Sequence, residues 1–225
     1  MNDADAIRSQ AAAIATTKKP SKKQAHQFTE QLVQAVEHGE SFEEHSHAIA
    51  ALYAYFMPAL PKKPKTSHGW VSKAAAKKDA REYLRFVHSD GDDLVATNGY
   101  RLHVLYGEGV APGFYAPGDE LTPDNVSYTY PDWRRAAPSA SSLNEGIMAD
   151  GWQDWPMYDT GSYGIAIKVG ESTWVNRDYL ADALYGFERP MTRLTSDANG
   201  PAVVMEADET PYAPSRQAVI MPMRI

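Results

Sequence analysis

The chain has 225 residues, enough for one large domain or two small ones, and its 43% hydrophobic and 23% charged residues are an ordinary globular balance. The absence of cysteine excludes disulfide scaffolds, thiolate metal sites and cysteine nucleophiles, and favours an intracellular setting. A net charge of −7 argues against a protein that coats nucleic acid by bulk electrostatics.

The average hides a split. Residues 1–80 carry 11 Lys/Arg against 8 Asp/Glu, and residues 81–225 carry 11 against 21. Lys168 is the only lysine after residue 78, so any contact with a polyanion falls to the front of the chain. No basic segment followed by an apolar run opens the sequence, and no stretch approaches the about 18 apolar residues of a membrane span. A soluble, cytoplasmic protein is expected.

The elements follow in chain order. Ile7 to Thr16 reads as an alanine-rich helix. Ser21 can cap a second helix to about His38, with Phe28, Leu32, Ala35 and Val36 at helical spacing. Ser41 and Glu44 form a capping box for a third, which carries Ile49, Leu52, Tyr53 and Phe56. The proline-broken, lysine-rich stretch from Pro61 to Ser67 reads as a linker and domain boundary. A short helix over about Ser72 to Arg81 precedes strands at Tyr83 to His88, Leu94 to Thr97 and Tyr100 to Tyr106. Asp-Gly and Asn-Gly between these runs are strong hairpin signals.

Residues 107–160 are rich in Gly, Pro, Asp and aromatics, and Ser139 to Ser162 reads as an extended loop or insertion. Order returns with strands at Gly164 to Val169 and Ser172 to Val175, then a helix over about Asn176 to Phe187. Strands at Thr192 to Thr195, Ala202 to Ala207 and Gln217 to Met223 complete the chain. Strand-rich units with one helix each imply an α+β fold rather than a parallel sheet with long crossovers.

Few residues assemble into chemistry. His45 and His47 stand two apart on a predicted helix, whereas ligands sharing a helix face need a spacing of three or four. They read as solvated residues, and His88 and His103 as packed or exposed strand residues. Asp90, Asp92 and Asp93 lack the spacing and terminal Glu of a calcium loop and read as a hairpin turn. No nucleophile elbow, phosphate loop or dinucleotide fingerprint is present, so neither an enzyme nor a metal or cofactor site is expected. Lys73, Lys77, Lys78 and Arg81 would share one side of the predicted 72–81 helix, either as a solvated face or as a DNA phosphate-tracking one. The terminal run Ala218-Val219-Ile220-Met221-Pro222-Met223-Arg224-Ile225 reads either as a core edge strand or as part of a methionine-lined peptide groove.

Four segments carry a resemblance. AVIMPMRI resembles the C-terminus of the bacterial sliding clamp, the beta subunit of DNA polymerase III. Arg81 to Leu102 resembles the clamp's second-domain strand pair, Tyr130 to Pro138 its linker between second and third domains, and Val175 to Leu184 the third-domain helix. With the strand pattern, the resemblance covers roughly residues 70–138 and 164–225. It implies a clamp-like fold of antiparallel sheets with short helices, behind a helical N-terminal segment. The implied organisation is a helical segment and linker at 1–65, a half like the front of the second clamp domain at 66–138, a loop or insertion at 139–163, and a half like the back of the third domain at 164–225.

In that family the matching segments meet in a pocket that captures short extended peptides of polymerases and other client proteins. Carried over by position, the resemblance implies one wall from Leu84, Thr97, Gly99, Tyr100, Arg101 and Leu102. Pro131, Arg135 and Ala136 supply the linker side, and Asn176, Tyr179, Met221, Pro222, Met223, Arg224 and Ile225 close the pocket. Leu, Met, Pro and Tyr suit burial of a client's leucine and phenylalanine anchors, worth about 3–6 kcal/mol for two before ordering costs. Arg101, Arg224 and Asn176 would meet the peptide's polar groups. The resemblance also implies sequence-independent contact with double-stranded DNA, a homo-oligomer, and an acidic body whose positive charge lies where phosphates pass.

The departures are equally specific. Asn98 stands where clamps usually have Asp, and Tyr100 where they usually have His. No first domain is recognisable, nor the back of the second or the front of the third. A reduced relative, of phage or mobile-element origin, is expected. It is either a processivity factor or an adaptor that binds clamp-binding peptides without encircling DNA.

Overall fold

The computed structural model describes residues 21–38, 48, 49, 51, 52, 60–197 and 200–224. The predicted helix at 7–16, the Ser41–Glu44 capping box, His45, His47 and Ile225 lie outside the described residues. The chain divides into two compact units, Met1–Leu60 with Gly151–Asp159, and Pro61–Asp150 with Thr160–Ile225.

In the first unit, α1 spans Lys22–His38. Ser21 and Gln24 cap it reciprocally. The Gln24 amide donates to Ser21 Oγ at 3.3 Å, and the Ser21 amide donates to Gln24 Oε1 at 2.9 Å. Ala25 is buried and Phe28 and Leu32 are half-buried, a stripe at spacings of three and four that gives the helix one apolar side.

The second unit begins with α2 (Ser67–Ser72). The strands in chain order are β1 (Val87–Ser89), β2 (Leu94–Thr97), β3 (Arg101–Leu105), β4 (Gly113–Ala116), β5 (Thr122–Asp124), β6 (Ile147–Met148), β7 (Met157–Asp159, in the first unit), β8 (Ile165–Val169) and β9 (Thr173–Asn176). After α3 (Arg177–Leu184) come β10 (Pro190–Leu194), β11 (Ala202–Glu206) and β12 (Arg216–Ile220). Among the described residues the main sheet has nine strands in the order β5-β4-β1-β2-β3-β12-β11-β10-β6, and β8 and β9 form an antiparallel hairpin in a second sheet.

One pairing unites the two ends of this unit. β3 and β12 run antiparallel in full register, from Arg216 opposite Leu105 to Ile220 opposite Arg101. Side chains alternate across the sheet, so each face has its own cover. On one face Val95, Leu102, Val104, Val203 and Val219 pack with Trp133, and Tyr106, Tyr130 and Leu143 lean against them. On the other, Trp70 of α2 stacks on His103 with ring centroids 4.5 Å apart, and its indole N–H donates to the Ala183 carbonyl of α3 at 2.9 Å.

The predicted helix over Ser72 to Arg81 is not formed. Thr66 starts α2 earlier, its hydroxyl accepting from the Gly69 amide at 2.9 Å, and the helix ends at Ser72. Beyond it the Ala76 amide donates to the Leu84 carbonyl at 2.8 Å, and Asp79 folds back to accept from the Arg81 amide at 2.8 Å. Lys73, Lys77, Lys78 and Arg81 therefore share no helix face. The strand expected from Tyr83 also starts late, because Glu82–Arg85 forms a 3-10 turn that drives Leu84 inward.

Candidate peptide-docking site

The turn between β2 and β3 is held by its own side chains. Asn98 Oδ1 accepts from the amides of Tyr100 at 3.0 Å and Arg101 at 3.1 Å. Thr97 Oγ1 donates to the Arg101 carbonyl at 2.6 Å and accepts from the Gly99 amide at 3.0 Å. Gly99 has φ +87°, and a Cβ there would stand 3.1 Å from the Arg81 guanidinium. This turn lifts Tyr100 out to 65% exposure.

The C-terminal segment lies against that turn. The Met221 amide donates to the Tyr100 carbonyl at 2.8 Å, one step beyond the β3–β12 ladder. Pro222 has no amide hydrogen, so the ladder stops, and the Met223 amide donates instead to the Trp174 carbonyl of β9 at 2.7 Å. Asn176, at the end of the same strand, donates from Nδ2 to the Tyr163 carbonyl at 3.2 Å. The tail is thus bonded to both hairpins, with Tyr100 and Met221 exposed where it meets the first and Tyr163, also exposed, bonded to Asn176 beyond the second. The predicted strand to Met223 ends at Ile220 for the same reason.

Arg101 does not stand on this rim. It is 8% exposed and donates to Asp182 Oδ2 of α3 at 2.7 Å. Its second terminal nitrogen donates to the Lys73 carbonyl, and its guanidinium lies 4.4 Å over the Tyr179 ring. Lys73 Nζ sits 3.3 Å from the other Asp182 oxygen and donates to the Lys62 carbonyl at 2.6 Å. Asn176 is engaged too, its Oδ1 capping α3 through the Asp178 and Tyr179 amides at 3.0 and 3.1 Å. Tyr179 reaches the turn, its hydroxyl accepting from Asn98 Nδ2 at 3.2 Å.

The remaining predicted residues divide between core and surface. Leu84 is 2% exposed and Leu102 belongs to the sheet core. Pro131, Arg135 and Ala136 are exposed on the 130–136 segment, which Trp133 anchors to the core and Tyr130 pins by stacking on His88 at 4.5 Å. Burial pushes the Tyr130 phenol up. Arg224 is exposed and Pro222 and Met223 are half-buried. Among the predicted phosphate contacts, Lys77 and Lys78 are exposed, Lys73 is in the Asp182 cluster, and Arg81 clamps Asp79 at 3.0 Å. The Arg81 hydrogen bonds hold the Asp79 carboxyl down at about 2.

Three participants were missed in the sequence: Trp174, Tyr163 and Asp182. Asp182 had a signal, since it interrupts the apolar run Leu180, Ala181, Ala183 and Leu184 on a predicted helix. A carboxylate in such a run needs a cationic partner when buried.

No protein-family model matches the chain, and no curated protein does. Solved structures of similar fold are bacterial DNA polymerase III beta subunits. The Pseudomonas aeruginosa subunit is 19% identical with a TM-score of 0.44, over 75% of this chain and 69% of that one. For Streptococcus pneumoniae the values are 17%, 0.43, 70% and 62%, and for Thermotoga maritima 16%, 0.45, 76% and 68%. The chain thus spans 62% to 69% of the length of these subunits. The likeness is one of fold.

Proposed function

We propose that this protein is a clamp-like, non-catalytic DNA replication factor that captures short extended peptides of a polymerase or another replication protein. The observation that carries the reading is the path of the tail. Met221 bonds to the Tyr100 carbonyl, Met223 to the Trp174 carbonyl just before the Val175 to Leu184 segment, and Asn98 to the Tyr179 hydroxyl within it, contacts that join three of the four clamp-resembling segments. Tyr100 and Met221 offer a rigid ring and an adaptable thioether beside each other, surfaces suited to a client's leucine and phenylalanine. Arg135 and Arg224 are exposed and available to the peptide's polar or acidic flanks.

DNA contact in this reading falls to the exposed lysines Lys62, Lys63, Lys65, Lys77 and Lys78. The second reading, an adaptor that binds clamp-binding peptides without encircling DNA, is favoured by one observation. Lys73 and Arg81 are engaged with Asp182 and Asp79, which leaves fewer cations for phosphates than the sequence implied. Fluorescence anisotropy with a labelled Gln-x-x-Leu-Phe peptide tests the shared site, and absence of binding removes both readings. Mass by light scattering, with and without duplex DNA, separates them: a ring needs a homo-oligomer, whereas an adaptor remains a monomer that DNA does not change.

A further inference from the structure

Resting on the peptide-capture reading, we infer that Asp182 is a positioning residue for the docking site, acting through Arg101 on the hairpin tip that presents Tyr100. Asp182 is 5% exposed, so its carboxylate acts from within the fold rather than on the surface. Its Oδ2 accepts from Arg101 at 2.7 Å, and its Oδ1 lies 3.3 Å from Lys73 Nζ. Arg101 is the residue immediately after Tyr100, and its amide and the Tyr100 amide share the Asn98 Oδ1 acceptor. Rotation of the Arg101 backbone therefore carries Tyr100 with it.

A second connection starts from the same helix. Tyr179, one turn before Asp182, lies under the Arg101 guanidinium and accepts from Asn98 Nδ2 at 3.2 Å. Two residues of α3 thus grip both ends of the turn. The tail inherits that geometry because Ile220 pairs with Arg101 and Met221 bonds to the Tyr100 carbonyl. An ion pair this buried has little alternative solvation, so removing the carboxylate charge leaves Arg101 seeking another partner and releases the turn.

The test uses the full-length protein, with methionine methyl resonances of Met221 and Met223 as a structural readout and peptide anisotropy as a functional one. Asp182→Asn is expected to displace both methyl resonances and weaken the Gln-x-x-Leu-Phe peptide about tenfold. Asp182→Glu, which retains the charge, returns affinity to within about threefold of wild type. Val203→Ala, a buried change in β11 on the Trp133 face of the sheet, opposite the face that holds Arg101 and α3, lowers stability and leaves resonances and affinity in place. Unmoved methyl resonances in Asp182→Asn, or the same displacement in Val203→Ala, overturn the inference. A wild-type protein that binds no peptide overturns the peptide-capture reading instead, and the resonances still decide whether Asp182 sets the site's geometry.

Discussion

Met221 and Tyr100 stand 121 positions apart in the chain and share a backbone hydrogen bond of 2.8 Å at the end of the β3–β12 ladder. The bond makes the patch composite. Neither the hairpin nor the tail presents it alone, and both depend on pairing between distant strands. Tyr100 and Met221 are the exposed members of that contact, at 65% and 44%. Their side chains contribute little to the core, so they can be altered with the fold intact.

Tyr100→Ala and Met221→Ala are each expected to weaken capture of a Gln-x-x-Leu-Phe peptide about 5- to 30-fold, the range of an interface residue worth about 1–2 kcal/mol. Unfolding stability should remain within about 0.5 kcal/mol of wild type for such exposed changes. Isothermal titration paired with urea unfolding checks both statements. Wild-type affinity in both variants places the docking surface elsewhere.

Leu84→Ala behaves differently. The family resemblance puts Leu84 on a pocket wall, yet its side chain is buried behind the Glu82–Arg85 turn and its carbonyl holds the Ala76 amide. The substitution should therefore cost about 2–5 kcal/mol of stability, as a cavity in a packed core does. Peptide affinity per folded molecule should fall less than in Tyr100→Ala. Chemical unfolding and titration of the same preparation separate the two effects.

Gly99→Ala tests the turn itself. At φ +87° a β-carbon is strained, and its nearest neighbour is the Arg81 guanidinium at 3.1 Å. A loss of about 1–2 kcal/mol is expected from the backbone alone. Since Arg81 is a flexible side chain, Arg81→Ala in the same background should recover only the steric part. Thermal unfolding of the single and double variants resolves the two contributions, and full recovery contradicts the backbone account.

Local signals were legible in the sequence, and non-local ones were not. Thr97-Asn98-Gly99 announces its turn because its hydrogen bonds close within five residues. Asn176 likewise announces α3 by capping it. The lysine- and alanine-rich run after Ser72 has helical propensity, but Thr66 fixes the start of α2, and Trp70 docks on His103 and Ala183, so the chain leaves the helix at Lys73. Tertiary contact overrides propensity there. The family resemblance brought the hairpin and the tail together but assigned Arg101 to the peptide. Its burial with Asp182 depends on a contact between residues 81 apart in the chain, which no local pattern encodes.

The lysines give a salt-dependent prediction. Charge reversal at Lys77 and Lys78 should lower the slope of log affinity against log salt for duplex DNA by about 2, at about 0.9 per phosphate contact for each residue. Lys73→Met should change that slope less, because its ammonium already faces Asp182, and should mainly lower stability. Filter binding across a salt series measures the slopes. An unchanged slope in the Lys77 and Lys78 variant returns those side chains to an ordinary solvated surface.

Acid sensitivity follows from His103. Burial holds its imidazole down at about 3, reinforced by the nearby Arg101 and Lys73 charges, while its hydrogen bond to the Trp70 carbonyl pulls the other way. The unfolded chain titrates near the ordinary 6.5, so between these values the unfolded state binds the additional proton. Stability from this group is therefore complete above about pH 6.5 and declines as pH falls toward 3. Urea unfolding at a series of pH values should show a slope through pH 6 to 4 that His103→Gln, which retains a hydrogen-bonding side chain but does not titrate, makes shallower. An identical slope in that variant assigns the acid sensitivity to the carboxylates alone.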